Sequence, residues 1–424
     1  MMRHEKLDFV EVNAENIMKY KAAAVIELPN CERVGAGAFR DFRNLTSISL
    51  PACTEVGNEA FSGCTELQDI QLPKCRKLGN LAFFGCKNLN KIKMPICEYI
   101  GERVFDNCLL LKDVSLPKCM AIGNCAFCAC DNLVKVLLGE CECIGEMAFI
   151  GCEKLGEINL PMCKSVGAQA FSDCRKLSKI GFPICENVGD NAFERCIELG
   201  KIFLPLCTKL GKEVFMGCVK LEKVTIPKCE SIGECMFDGC EELKEVSLRT
   251  CKRIESSEFE NYKKLVNMDL DACEYIGNRA FAGCEELMVI NLPKCTYVGA
   301  YAFSDCKELK SISLENCKEL GDSVFAWCNN LDTVELSSCK KLGSWPFCEC
   351  WNLPEIYLPS CIEIGSFPRE TEYFPSRGVH FAKVNEKEIK ESKAYKIRPE
   401  EVINPIGSPE FPTIQRKNMV YFDL

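Results

Sequence analysis

The chain has 424 residues, carries 61 acidic against 52 basic side chains for a formal charge of −9, and is 47% apolar. That balance fits a folded protein, and the acidic surplus speaks against a general nucleic-acid binder, which is usually basic. No apolar run approaches the roughly 20 residues of a membrane span.

The opening "MMRHEKLDFVEVNAENIMKY" lacks the apolar core of a secretory signal. With Leu7, Phe9, Val10 and Ile17 among polar neighbours, residues 1–21 read as an N-terminal cap lying over the first unit of a repeat array. From about residue 22 to 366 the chain repeats itself. "LTSISLPACTEVGNEAFSGCTEL", "LNKIKMPICEYIGERVFDNCLLL" and "LMVINLPKCTYVGAYAFSDCKEL" share the pattern L-x-x-I-x-L-P-x-C-x-x-I-G-x-x-A-F-x-x-C. The glycine recurs every 22 residues from Gly35 to Gly365, with Glu255 the single break, which makes 16 repeats without insertion. A strict period of this length means one small unit stacked on itself, each burying the apolar face of its neighbour.

Within a repeat the L-x-x-I-x-L segment alternates apolar and polar residues, as in Ile48/Leu50 and Val114/Leu116, which is the period of a strand. Proline often comes next, as at Pro51, Pro73 and Pro117, and ends the strand because it has no N–H to donate. Identical units running in one direction set these strands in parallel. The glycine supplies a positive-φ turn or a close backbone approach. An alanine and a phenylalanine come after it, and the phenylalanine slot, filled from Phe39 to Phe347, predicts an aromatic spine. Only about two helical turns fit between glycine and the second cysteine, so a short α or 3-10 turn is expected on the outer side.

These phrases resemble the BspA-like leucine-rich repeats, whose mark is "LPxxxxxIGxxAFxxCxxL". The resemblance implies a right-handed α/β solenoid with one long parallel sheet, a recognition or adhesion role, and no catalysis. In bacterial members it also implies a cell-surface setting. The unit here is a residue shorter than is usual there, and the slot of Cys53 is usually not cysteine. The cysteine pair is also similar to repeats of eukaryotic F-box proteins, although no F-box precedes this array.

Thirty-four cysteines would ordinarily suggest a secreted disulfide scaffold. Most fall in two fixed slots, one from Cys31 to Cys361 and one from Cys64 to Cys350. Phe42 and Tyr262 occupy the second slot in two repeats, yet Cys31 and Cys251 persist there. Bonding between the slots would orphan them. Two ladders of small, buried, reduced thiols acting as weak donors are expected instead, which with the missing signal predicts a cytoplasmic protein; export remains possible by the resemblance. Cys125, Cys128, Cys143, Cys235 and Cys348 stand outside the slots. Cys125, Cys128 and Cys130 with Cys141 and Cys143 have zinc-like spacing, but the repeat already accounts for Cys130 and Cys141, so no metal is assigned.

Histidine is confined to His4 and His380. No Ser/His/Asp or Cys/His set can be assembled in the array and no phosphate loop occurs. No enzyme activity, catalytic residue or cofactor is expected. Glu255, Glu258 and Tyr262 all depart from the pattern in one repeat, which predicts a weak joint. Past Gly365, "VHFAKV" reads as a slipped last strand, and residues 367–424 as that strand, a C-terminal cap and a tail. The alternative for residues 384–424 is a docking segment.

Polar residues of the strand segment face outward. One such column reads Asp69, Lys91, Asp113, Lys135, Glu157, Lys179, Lys201 and Lys223, and its neighbour holds Leu137, Phe203 and Tyr357. A phenylalanine there has no core role. Lys135, Leu137, Lys179, Lys201, Phe203, Lys223 and Tyr357 are therefore the candidate binding residues for a protein ligand; the alternative is an ordinary solvated sheet with a stray aromatic. Two functions fit the sequence: a binding or adhesion scaffold, or an assembly component of a virion or appendage docking through its C-terminal segment.

Overall fold

The computed structural model describes residues 3–353, 355–358, 360–361, 363–365 and 380–382. Each repeat forms one coil. Its first strand is the three-residue core of the L-x-x-I-x-L segment, as in Asp69–Gln71 and Lys91–Lys93, where a buried isoleucine sits between exposed polar residues. Equivalent strands of successive coils pair in parallel, residue on residue, as Asp69 with Lys91 and Ile70 with Ile92. This main ladder runs in groups of nine, five and four strands.

A second, narrower ladder joins the sheet expected from the sequence. Two-residue strands just before the glycine, such as Lys77–Leu78 and Tyr99–Ile100, also pair in parallel. It runs as ten strands and then six, and the gap falls at Ser231–Ile232, where no strand forms.

The outer side differs from expectation. Tandem turns replace the short helical turn, and among the described residues helix occurs only at Ala14–Ile17 and Met18–Tyr20. The reason lies in the backbone hydrogen bonds. The amides of Glu59, Phe61 and Gly63 donate to Asn80, Ala82 and Phe84 of the next coil, while Ala60, Ser62 and Cys64 donate back within their own coil to Gly57, Glu59 and Phe61. This alternation places Glu59 at φ 55° and Gly63 at φ 73°. A helix would turn all of these amides inward and leave the coils unjoined on this side.

The core is one continuous column. The spine rings from Phe39 to Phe347 stack coil on coil at 5.0–5.8 Å between centroids. Both cysteine slots are buried, and every cysteine is a free thiol. First-slot thiols donate to the carbonyl two residues on, as Cys53 to Glu55 at 3.3 Å. Second-slot thiols donate to the spine carbonyl of the preceding coil, as Cys64 to Phe39 at 3.0 Å. Tyr262 keeps the second bond, since its hydroxyl donates to the Phe237 carbonyl at 2.6 Å. The anchor glycine answers to close approach and not to positive φ: a Cβ on Gly145 would lie 2.7 Å from the Asn124 amide nitrogen.

The N-terminal segment is a degenerate coil that continues both ladders, and so does more than lie over the first repeat. His4–Lys6 pairs with Val25–Glu27, and Glu11–Val12 with Arg33–Val34. Asn13 caps the helix by accepting from the Glu15 and Asn16 amides, and Ile17 is buried. At the other end His380–Ala382 pairs with Glu355–Tyr357, His380 opposite Glu355. That register is three residues longer than the repeat, as a slipped last strand requires. The remainder of 367–424, with the cap-or-docking segment, lies outside the described residues.

Candidate binding face

The outward side chains of the main ladder form a face without competing core roles. Lys135–Leu137, Lys179–Gly181, Lys201–Phe203 and Lys223–Thr225 each present their first residue to solvent and bury or half-bury the middle one. Phe203 is 59% exposed, whereas Phe193 and Phe215 of the spine are fully buried. Lys201 lies in register with Lys223, and Phe203 with Thr225.

The lysine column is less basic than it reads. Lys179 pairs with Glu157 of the preceding coil at 2.8 Å, and Lys223 with Glu245 of the next one at 2.5 Å. Both pairs are exposed and contribute little stability, but they neutralise the flanks. Among the described ion pairs none engages Lys201, which leaves one unshared ammonium beside the exposed ring. The Glu157 carboxylate beside Lys179 raises that ammonium above its ordinary pKa.

Lys179, Lys201, Phe203 and Lys223 thus come together on three consecutive strands. Lys135 and Leu137 stand apart: Leu137 is three strands from Phe203, about 14 Å at the usual strand spacing. Tyr357 is seven strands away, and its side chain lies outside the described residues. Sequence reasoning missed a second apolar spot on this face, Met288 at 46% and Val289 at 57% exposed. For Val289 the signal was present, since it continues the column of Lys201 and Lys223; Met288 precedes the strand and belongs to neither column. It also missed a ridge on the second ladder, where Arg253 lies 3.9 Å over Tyr275, and Tyr275 stacks on Tyr297 at 4.9 Å.

Elsewhere the chemistry is quiet. Burial pushes the Cys53, Cys64 and Cys75 thiols up to about 12, far from a reactive thiolate. In the cysteine-rich stretch, Cys130 and Cys141 sit buried in their slots and donate to the carbonyls of Phe105 and Cys143, while Cys143 is exposed. Among the described residues no group of three or more His, Cys, Asp or Glu side chains is placed to hold a metal ion. No helix there is long and apolar enough to cross a membrane.

Comparison with known proteins agrees with this architecture. A leucine-rich repeat protein from Bacteroides ovatus is 26% identical, with 84% of this chain and 87% of that one covered and a TM-score of 0.53. A leucine-rich cell surface protein from Faecalibacterium prausnitzii is 20% identical over 79% of this chain and 91% of that one, at TM-score 0.38. The leucine-rich repeat protein of T. pallidum is 27% identical over 47% and 78%, at TM-score 0.31. No curated protein matches the chain. The profile of the BspA type leucine-rich repeat region, in six copies, matches residues 15–134, 121–244, 208–314 and 252–368. With nearly the whole array so matched, the chain belongs to the BspA-type leucine-rich repeat family.

Proposed function

We propose that the protein is a non-enzymatic binding scaffold that takes a protein or peptide ligand on its main-ladder face, centred on Lys201 and Phe203. The observation that carries this reading is the contrast between phenylalanines: the spine rings are buried coil after coil, and Phe203 stands in solvent next to an unshared lysine. An exposed aromatic flanked by a cation is the chemistry of an interface anchor. It suits a ligand with an apolar side chain next to a carboxylate. Lys135, Leu137 and Tyr357 would act as outlying contacts of a long ligand. Leucine-rich repeat folds are commonly binding scaffolds, which supports the class of function, and the net acidity supports a protein over a nucleic acid. The buried thiol ladders suit a reducing compartment.

The test is capture of partners from extract of the native source by wild-type protein and by a Phe203→Ala, Lys201→Glu double variant. The double variant should keep the wild-type melting temperature and lose the partner. Retention of the same partner at equal yield would exclude this face as its site.

A further inference from the structure

The gap in the second ladder lies one coil before the irregular repeat, whose own strand Arg253–Ile254 pairs only with the coil that follows. In regular coils the glycine-slot amide donates to the carbonyl 23 residues earlier, as Gly211 to Val188 and Gly277 to Ile254. Neither Gly233 nor Glu255 makes this bond among the described residues. For Glu255 the cause is steric, because the slot approaches the preceding coil too closely for a side chain: a Cβ at the equivalent Gly277 would lie 2.5 Å from the Ser256 nitrogen, whereas Gly233 lacks the bond while still close to Gly211. Strand pairing is lost along this edge, leaving, among the described residues, the Lys252 amide on the Glu230 carbonyl at 3.1 Å as the backbone bond between these coils there, and Leu210 and Ile232 are only partly buried. The main ladder holds across it, with Val224, Val246 and Met268 in register.

Glu258 sits beside this seam, in the slot that adjoining coils fill with Met236 and Ala280, both fully buried. Its Oε1 is buried without a hydrogen-bond partner. The groups acting on it have its own sign or none. Glu255 of its own coil repels it, and the Cys251 thiol of that coil and the Cys235 thiol of the preceding one both feel its charge. The neighbouring cations are engaged elsewhere, Arg253 with Glu255 at 3.1 Å and Arg279 with Glu260 at 2.6 Å. Burial, with Glu255 second, pushes the Glu258 carboxyl up to about 7.

We propose that the coil at 251–262 is a proton-operated joint, closed while the Glu258 carboxyl is neutral and loosened when it ionises. Glu258 as a whole is half-buried; a neutral acid can keep Oε1 in its enclosed place, whereas a carboxylate leaves that oxygen charged without a partner and draws the group further towards water. The seam lets it do so, because the glycine-slot bonds are missing there and few edge bonds remain, while the main ladder holds the two halves of the array together. Ionisation then alters the angle between the coils before and after the seam, and with it the shape of the main-ladder face. The proposal is independent of which ligand that face takes.

The sign is set by linkage. A carboxyl raised in the closed state favours closure below its ordinary pKa and loses that hold as pH rises to about 7. The experiment is hydrogen exchange by mass spectrometry on the full chain at pH 5.5 and 7.5, corrected for intrinsic exchange. Segments at 117–138 serve as the internal reference. Amides at 231–262 should open roughly tenfold more often or greater at the higher pH, with the reference unchanged. Glu258→Ala, which restores the alanine of the pattern, and Glu258→Gln, which is permanently neutral, should both abolish the dependence. Persistence of the same pH effect in both variants, or its absence in the wild type, would overturn the proposal.

Discussion

Replacing Phe149 with alanine removes a ring held between Phe127 at 5.1 Å and Phe171 at 5.2 Å, nearly parallel to both. The side chain is fully buried, so the substitution leaves a cavity that neighbouring coils, pinned by backbone bonds on three sides, cannot close. Phenylalanine-to-alanine changes of this kind cost about 3–5 kcal/mol, and the two lost ring contacts place this one near the upper end. In a stack coupled only through neighbours, such a loss divides the array. All three tryptophans, Trp327, Trp345 and Trp351, lie in the C-terminal coils, so fluorescence reports on that end while circular dichroism reports on the whole. In urea the wild-type curves should coincide; in Phe149→Ala the dichroism should fall first and the fluorescence lag. Phe203→Ala, at 59% exposure, should cost less than about 0.5 kcal/mol. A cost below about 1 kcal/mol for Phe149→Ala, or equal costs for the two, would refute the spine as the carrier of stability.

Tyr262→Phe strips the donor from the Phe237 carbonyl and should cost about 1–2 kcal/mol in urea unfolding, with Tyr262→Cys recovering part of it. Gly145→Ala, whose Cβ would stand 2.7 Å from the Asn124 nitrogen, should cost about 1–3 kcal/mol or more and accelerate hydrogen exchange in the two coils it separates. Because burial pushes ladder thiols such as Cys53 and Cys75 up to about 12, they bind protons in the folded state that unfolded thiols release near 9. Stability should therefore fall as pH rises from about 9 towards 12, measured by melting temperature; a flat profile would contradict the ladders. At neutral pH a thiol reagent should modify exposed Cys143 and Cys235 first, with mass counting showing the slots untouched until urea is added.

Much of this was legible because the period is strict. A residue type that returns every 22 positions reports one environment sampled many times, so the glycine slot, the aromatic spine and both thiol ladders could be read without coordinates. Even the exceptions carried meaning: Tyr262 replaced a cysteine and kept its hydrogen bond. The second ladder was not legible, since a strand as short as Glu55–Val56 shows no alternation to detect. The outer turn was misjudged because available length was compatible with a helix, whereas the choice is made by which coil accepts the amides of Glu59, Phe61 and Gly63. On the binding face the columns gave the residues but not their partners. That Lys179 and Lys223 are matched by glutamates of adjoining coils, and Lys201 is not, depends on side-chain reach across the ladder.

The central claim, that ligand is held on the main-ladder face at Phe203, is tested most directly by site-specific photo-crosslinking. A benzophenone amino acid would replace Phe203 in one sample and Met120, 52% exposed on a loop off that face, in another, each irradiated in extract of the native source. The account predicts a discrete adduct from position 203, abolished by Lys201→Glu, and none from position 120. Equal adducts from both positions, or an adduct from 120 alone, would contradict it.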